Sequence, residues 1–383
     1  MGTASFERVV GSLEGRRDGP TVVILGGLHG NEPAGLYAAA RVLTHLHERR
    51  WALHGEVKVL AGNRAALAVS RRFVDRDLNR GWTDAALEAT RALPDDERVS
   101  EDHEQIDLVD RFEQIAAEAS GRVTFLDLHT TSGAAPPFIC ISDTLSNRRA
   151  ALALPVPIIL GLEEVVDGSL VGWLADHGHT ALSIEGGRND DPASVDRHVS
   201  AIWLALVAAG ALKARDVPDH ATHVARLREA MSGLPRVVEV RHRHAITPAD
   251  GFVMARGWES FAPVGAGEIV GVDRRGPVCA PEAGRMLMPL YQAEGDDGFF
   301  LVREVNPLWL GVSAALRHLG ADRLVGLLPG VERDPAAPDC LVTRPSWTPP
   351  RVVEVMHLCG YRRERPEGDR LTFSRRGDPR RRR

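Results

Sequence analysis

The chain has few cysteines, few lysines and no long apolar run, and each shortage removes a class of protein. Its four cysteines, Cys140, Cys279, Cys340 and Cys359, are scattered over 383 residues and form no Cys-x-x-Cys pair. A disulfide framework is not expected, and a reducing cytoplasm suits the chain better. No apolar stretch approaches the ~20 residues needed to cross a bilayer, so no membrane span is expected. The N-terminus lacks a basic segment followed by an apolar run, so no signal peptide is expected. A net charge of −5 gives no global reason to expect nucleic acid or an anionic membrane as partner. Gly-x-Ser-x-Gly is absent, which disfavours a serine-hydrolase elbow. No internal repeat of solenoid period is present. The shortage of lysine beside abundant arginine and alanine reads as coding bias.

What is present is an ordinary apolar fraction, 44%, enough for a sizeable core. At this length one large α/β domain with a smaller appended one is the natural expectation. Val22-Val23-Ile24-Leu25 reads as a buried strand ending at glycines. A helix follows from Pro33 to about Arg49, then a strand at Val57 to Ala61. Residues 83 to 105 are acidic and read as solvated helix and loop, with an amphipathic helix over about Asp107 to Ala119. Val123 to Leu126 and Ala181 to Ile184 read as further buried strands. A helix near Ser169 to His177 precedes the second of these, and a strong one covers Val195 to Leu212. Strand alternating with helix predicts a mixed, mainly parallel sheet between helices over residues 1–235. Gly-rich alternation predicts a small all-β domain over 236–305. Residues 306–383 read as an extension, Pro-rich near Pro345 to Pro350, with a disordered basic tail at Arg380 to Arg383.

Four segments carry chemistry. The first is Gly26-Gly27-Leu28-His29-Gly30-Asn31-Glu32, where an imidazole and a carboxylate follow a buried strand. The second is Arg72-Phe73-Val74-Asp75-Arg76-Asp77-Leu78-Asn79-Arg80, whose guanidinium forks and amide suit a carboxylate ligand. The third is Asp127-Leu128-His129-Thr130-Thr131, at another strand end. Two histidines and a glutamate make a three-ligand set that leaves a position open. Asp127 either orients an imidazole or is an ordinary strand-end polar residue. The fourth is Ser183-Ile184-Glu185-Gly186-Gly187, whose carboxylate is a candidate general base if burial raises its pKa. Each has a bland reading alone: a chance His-x-x-Glu, a solvated charged loop, a surface glutamate at a turn.

Together, in this order, the segments resemble the succinylglutamate desuccinylase/aspartoacylase branch of the zinc carboxypeptidase-like fold. The resemblance covers about residues 20 to 212, and the β-rich part more weakly. It implies one Zn2+ per subunit held by His29, Glu32 and His129. It implies Glu185 as general acid/base, Arg72 polarising the scissile carbonyl, and Asn79 with Arg80 holding the substrate's carboxylate. The aspartoacylase-like enzymes place a further arginine shortly before the catalytic glutamate, for a second substrate carboxylate. Here Gly172 to Thr180 contains no arginine, so a dicarboxylic amino acid is in doubt. Arg188 is a candidate substitute, and Trp173, His177 and His179 are candidates for a different pocket. His242 and His244 alternate on a probable strand and read as surface; His357 and Cys359 lack further spaced ligands.

The resulting expectation is a cytoplasmic zinc-dependent amidohydrolase acting on a small N-acyl carboxylate, with the β-rich part roofing the site or making a homo-oligomer contact. The alternatives are a zinc carboxypeptidase or peptide amidase on the same scaffold, and a non-catalytic metal-binding relic.

Overall fold

Four consecutive apolar residues, Val22 to Leu25, call for a strand covered on both faces. The computed structural model, which describes residues 6–334, 337, 340–344 and 347–376, contains one. Val22 and Ile24 pack with the helices Ala34–Glu48 and Ala193–Ala209. Val23 and Leu25 point the other way, toward the helices Ser100–Glu118 and Leu170–Asp176. The two apolar clusters sandwich the sheet.

In chain order the strands are β1 (Val9–Glu14), β2 (Arg17–Gly26), β3 (His54–Ala61), β4 (Val123–Thr131), β5 (Phe138–Cys140), β6 (Ile158–Leu160), β7 (Thr180–Arg188) and β8 (Val237–Ala245). The β-rich stretch adds β9 (Val253–Met254), β10 (Pro263–Val264), β11 (Ile269–Asp273), β12 (Gly276–Cys279), β13 (Gly284–Leu287) and β14 (Asp297–Glu304). Eleven of these form one sheet in the order β1-β3-β2-β4-β7-β5-β6-β8-β14-β13-β10. β3, β2, β4 and β7 are parallel neighbours, whereas β5 runs antiparallel to β7. This is the expected mixed sheet between helices. The β-rich stretch divides: β8, β14, β13 and β10 extend the large sheet, and β9, β11 and β12 form a three-stranded sheet of their own.

The acidic stretch corrects its sequence reading. The helix begins at Ser100, and Glu101, Asp102, Glu104 and Gln105 are buried. They are buried because arginines and backbone donors face them. Arg8 pairs with Glu104, and Arg76 reaches Asp102 at 2.7 Å. A polar pattern with buried partners looks, in sequence, like a solvated one.

Beyond β14 the chain forms the helix Leu308–His318, a helix at Pro350–Leu358 and a separate antiparallel sheet. Its strands are β15 (Val331–Arg333), β16 (Cys340–Thr343), β17 (Tyr361–Glu367) and β18 (Arg370–Arg375), in the order β15-β16-β18-β17. Buried arginines tie this unit to the main body. Arg317 and Arg362 both lie 2.7 Å from Asp143, which also holds Arg148. Arg376 reaches Asp176 at 2.8 Å and Glu164 at 3.4 Å. The basic tail and Pro345 lie outside the described residues. Among those described, no helix is long and apolar enough to cross a membrane.

Candidate functional site

The loop after β2 turns at Gly27, whose φ of 70° is a left-handed conformation that favours glycine. Gly30 then passes so close to the helix Arg64–Val69 that a Cβ there would sit 2.1 Å from the Ala66 carbonyl carbon. The tight path is closed by Glu32 N–H donating to the His29 carbonyl at 3.1 Å. His29 and Glu32 are thereby brought to one point, and both are buried.

β4 supplies the partner. Side chains two apart on a strand share a face, so Asp127 and His129 project together. In the register of β4 with β7, His129 stands opposite Glu185 and Asp127 opposite Ser183. His129 Nδ1 lies 3.2 Å from Glu32 Oε2, and His29 Nδ1 lies 3.2 Å from Glu32 Oε1. One ligand atom from each of His29, Glu32 and His129 can be chosen with all three within 4.8 Å of one another. The far ring nitrogens meet carboxylates: His129 Nε2 is 2.9 Å from Asp127, and His29 Nε2 is 3.1 Å from Asp77. Thr130 N–H donates to Glu32 Oε2 at 2.9 Å.

This donor set fits a divalent cation. A neutral imidazole that donates from Nε2 keeps its lone pair at Nδ1. Both Nδ1 atoms then face an ionised carboxylate, acceptor against acceptor, and His29 Nδ1 makes no hydrogen bond. Positive charge at that point resolves the conflict. The titration directions mark the same point as one that favours positive charge, whether a proton or a cation. Burial pushes Glu32 up, but His29 and His129 hold it far below the usual carboxylate range. Burial pushes His129 down, but Asp127 and then Glu32 hold it well above the usual imidazole range. Carboxylates behind metal-ligating histidines orient the rings and raise their basicity. Asp127→Asn is therefore expected to weaken divalent-cation affinity by roughly 10–100-fold, measured by competition with a chromophoric chelator. Unchanged affinity would reduce Asp127 to a strand-end polar residue.

The Arg72–Arg80 segment is a charged loop, but a fixed one. The buried Glu101 carboxylate accepts Val74, Asp75 and Arg76 N–H at 2.7, 3.0 and 3.2 Å, and the Asn63 amide at 2.8 Å. Asp77 is its hub: one oxygen takes His29 and the Asn79 N–H, and the other takes Arg72 at 2.9 and 3.2 Å. Burial pushes Asp77 up, yet His29 and Arg72 hold it well below the usual range. Arg72 also lies 3.5 Å from Glu32. Arg80 pairs with Asp297 at 2.9 Å, and Asn79 Oδ1 accepts the Leu170 N–H. Glu101→Ala would leave three backbone donors without their acceptor, at on the order of 1–3 kcal/mol for each left unsatisfied. Both the urea midpoint and catalytic efficiency should fall. A variant unchanged in both would show that the loop is held by something else.

All seven residues singled out in the sequence converge. His29, Glu32, Arg72, Asn79, Arg80, His129 and Glu185 line one cavity of about 90 Å³. Glu185 is buried, with Oε2 unpartnered, and burial above all raises it to about 8, with Glu32 and Asp127 adding to the rise. The sequence reading missed Asp77 as the hub, Glu101 as the anchor, and Glu163 and Asp297 as cavity walls. The Asp77 motif was in view; the other three come from distant segments with no local signal. Arg188 does not replace the second arginine: it is exposed and pairs with Asp190. Trp173 packs on Trp82 and His177, outside the cavity lining. His244 stacks on Phe299 with ring centroids 4.9 Å apart, half-buried rather than free on the surface.

The loop between β13 and β14 borders the site. Gln292 faces Asn31 at 3.5 Å, Tyr291 N–H donates to Ser132, and Glu294 pairs with Arg71. Part of the β-rich stretch thus lies beside the loops that carry Asn31, Arg71 and Ser132.

Residues 18–157 match the family described as succinylglutamate desuccinylase/aspartoacylase catalytic domain. Two curated relatives are named N-acyl-aromatic-L-amino acid amidohydrolase (carboxylate-forming). The human protein is 38% identical over 113 residues, 29% of this chain and 33% of its own length. That of Rattus norvegicus is 45% identical over 75 residues, 20% of this chain and 23% of its own. The similarity thus spans a third or less of these relatives. Among solved structures, a succinylglutamate desuccinylase/aspartoacylase from Rhodobacter sphaeroides is 19% identical, with TM-score 0.56 over 77% of this chain and 88% of that one. Murine aminoacylase 3 is 16% identical, with TM-score 0.54 over 76% and 97%. At such identity these two report the fold, which is the zinc carboxypeptidase-like one.

Proposed function

We propose that this chain, whose residues 18–157 match the succinylglutamate desuccinylase/aspartoacylase catalytic domain, is a zinc-dependent amidohydrolase removing the acyl group from a small N-acyl amino acid. The observation that carries this reading is the convergence of two imidazoles, one carboxylate and a separate buried carboxylate, Glu185, on one cavity.

Zn2+ held by His29, Glu32 and His129 would supply Lewis acidity and lower the pKa of a water toward ~7. The remaining roles belong to the chain. Glu185 takes the proton of the attacking water and returns it to the leaving amine; its raised pKa suits both directions. Arg72 faces the metal ligands and stabilises the oxyanion that develops on the scissile carbonyl. Asn79 and Arg80 hold the substrate's carboxylate, with Arg80 exchanging part of its pairing to Asp297 for the ligand. Water attacks directly, without a covalent acyl-enzyme.

The bordering loop supports a small substrate over an extended peptide, because Gln292 and Glu294 meet the metal-site loops. Residues 1–235 are read as the catalytic unit, since most of the cavity comes from them. The scattered cysteines and the pattern of the chain suit the cytoplasm. A hydrolysis screen of zinc-loaded protein against N-acetyl, N-succinyl and N-formyl amino acids and short peptides tests the reading. Release of a free amino acid from one of the N-acyl classes is expected. Cleavage of peptides alone would replace the reading with a carboxypeptidase.

A further inference from the structure

The cavity holds a carboxylate that neither the metal group nor the base uses. Glu163, on the short helix Leu162–Val165, is 6% exposed and lines the cavity with His29, Arg80 and Glu185. It accepts a hydrogen bond from the hydroxyl of Ser169, which caps the helix Leu170–Asp176. No ion pair reaches its carboxylate among the described residues. Arg376, on that side of the cavity, pairs with Glu164 and Asp176 and reaches only the Glu163 backbone carbonyl, at 3.5 Å. Burial accordingly holds Glu163 up, to about 7, although Ser169 and Arg376 pull it down. A ligand cation beside it would favour its ionised form.

The rest of the lining makes this carboxylate informative. The cavity's two arginines are already bonded, Arg72 to Asp77 and Arg80 to Asp297. Among the described residues, no further arginine or lysine lines the cavity to receive a second substrate carboxylate. Leu162, Val166, Met288 and Phe300 supply an apolar wall beside Glu163. Ser169 links the wall to the carboxylate clamp, because the next residue, Leu170, donates its N–H to Asn79. A substrate anchored at Asn79 and Arg80 therefore shares the cavity with Glu163.

We propose that Glu163 selects the amino-acid side chain of the substrate: an aliphatic stem lies along Leu162, Val166, Met288 and Phe300 and ends in an ammonium at the Glu163 carboxylate, and a dicarboxylic amino acid is rejected. The inference rests on the N-acyl amino acid reading above. A buried carboxylate that must otherwise stay without a charge partner discriminates strongly between a cation, a methyl and a second anion.

The test compares Nα-acetyl-L-ornithine, Nα-acetyl-L-norleucine and Nα-acetyl-L-glutamate on zinc-loaded wild type and Glu163→Gln. In wild type the ornithine derivative should exceed the norleucine one by roughly tenfold or more in kcat/KM, with the glutamate derivative last. In Glu163→Gln the ornithine-to-norleucine ratio should collapse toward one. A wild type preferring norleucine or glutamate, or a variant with an unchanged ratio, overturns the proposal. Calorimetric binding of free L-ornithine and L-norleucine needs no turnover and separates the two ideas. If no N-acetyl, N-succinyl or N-formyl derivative of these amino acids is hydrolysed, the amidohydrolase reading fails. The subsite still stands if ornithine binds wild type more tightly than it binds Glu163→Gln, and falls if the two proteins bind it alike.

Discussion

Replacing Glu185 with glutamine should lower kcat by roughly 10²–10⁴-fold while leaving metal binding and the melting temperature close to wild type. The amide is nearly isosteric, so the strand register that sets residue 185 opposite His129 is retained. What disappears is the ability to take a proton. Glu185 is outside the candidate ligand set, so the metal should remain. One of its oxygens is buried without a partner, so no internal hydrogen bond is broken at that atom. The combination of lost turnover, intact metal stoichiometry and intact fold is what a proton-transfer role predicts. A structural role would move stability as well. Turnover equal to wild type would refute the assignment of Glu185 as base.

The second large effect concerns stability. Asp143 is buried and held by Arg148, Arg317 and Arg362. Asp143→Ala would leave three buried or nearly buried guanidinium groups without their shared anion. Removing one partner of a buried charged cluster costs about 3–5 kcal/mol. Chemical denaturation should show that loss, and the C-terminal unit should become more susceptible to proteolysis, because Arg317 and Arg362 belong to it. The pH dependence has a definite sign. Burial pushes Asp143 up, but Arg317, Arg148 and Arg362 hold it well below the usual range in the folded state. Its contribution is therefore fully present above the unfolded carboxylate pKa of ~4 and is lost as pH falls below it. The variant should lack that acid-linked part of the stability. A variant as stable as wild type would mean that the C-terminal unit is held by apolar contact alone.

The sequence was most legible where one face or one turn decides the structure. Val22 to Leu25 announced a strand buried on both sides, and Gly27 and Gly30 announced a turn that folds His29 and Glu32 together. The period of two on β4 made Asp127 and His129 neighbours, though not which of its two readings Asp127 would take. The convergence of the seven residues on one cavity was legible because their motifs occur together in order; singly, each had a bland reading. Partners fixed only by tertiary approach were hidden. Nothing near Glu101 says that three amide donors from residues 74–76 will meet it. Asp297 and Glu163 reach the cavity from strand ends and helices far along the chain. The four-stranded sheet at 331–375 was hidden for a related reason: its strands are short, and polar residues such as Arg362 lie where it packs on Asp143.

The most direct measurement is metal content together with turnover on the purified chain. The account predicts one Zn2+ per chain, hydrolysis of an N-acyl amino acid that a chelator abolishes and added Zn2+ restores, and loss of the metal in His29→Ala and His129→Ala. A chain that binds no zinc and hydrolyses no N-acyl amino acid after zinc addition would contradict it.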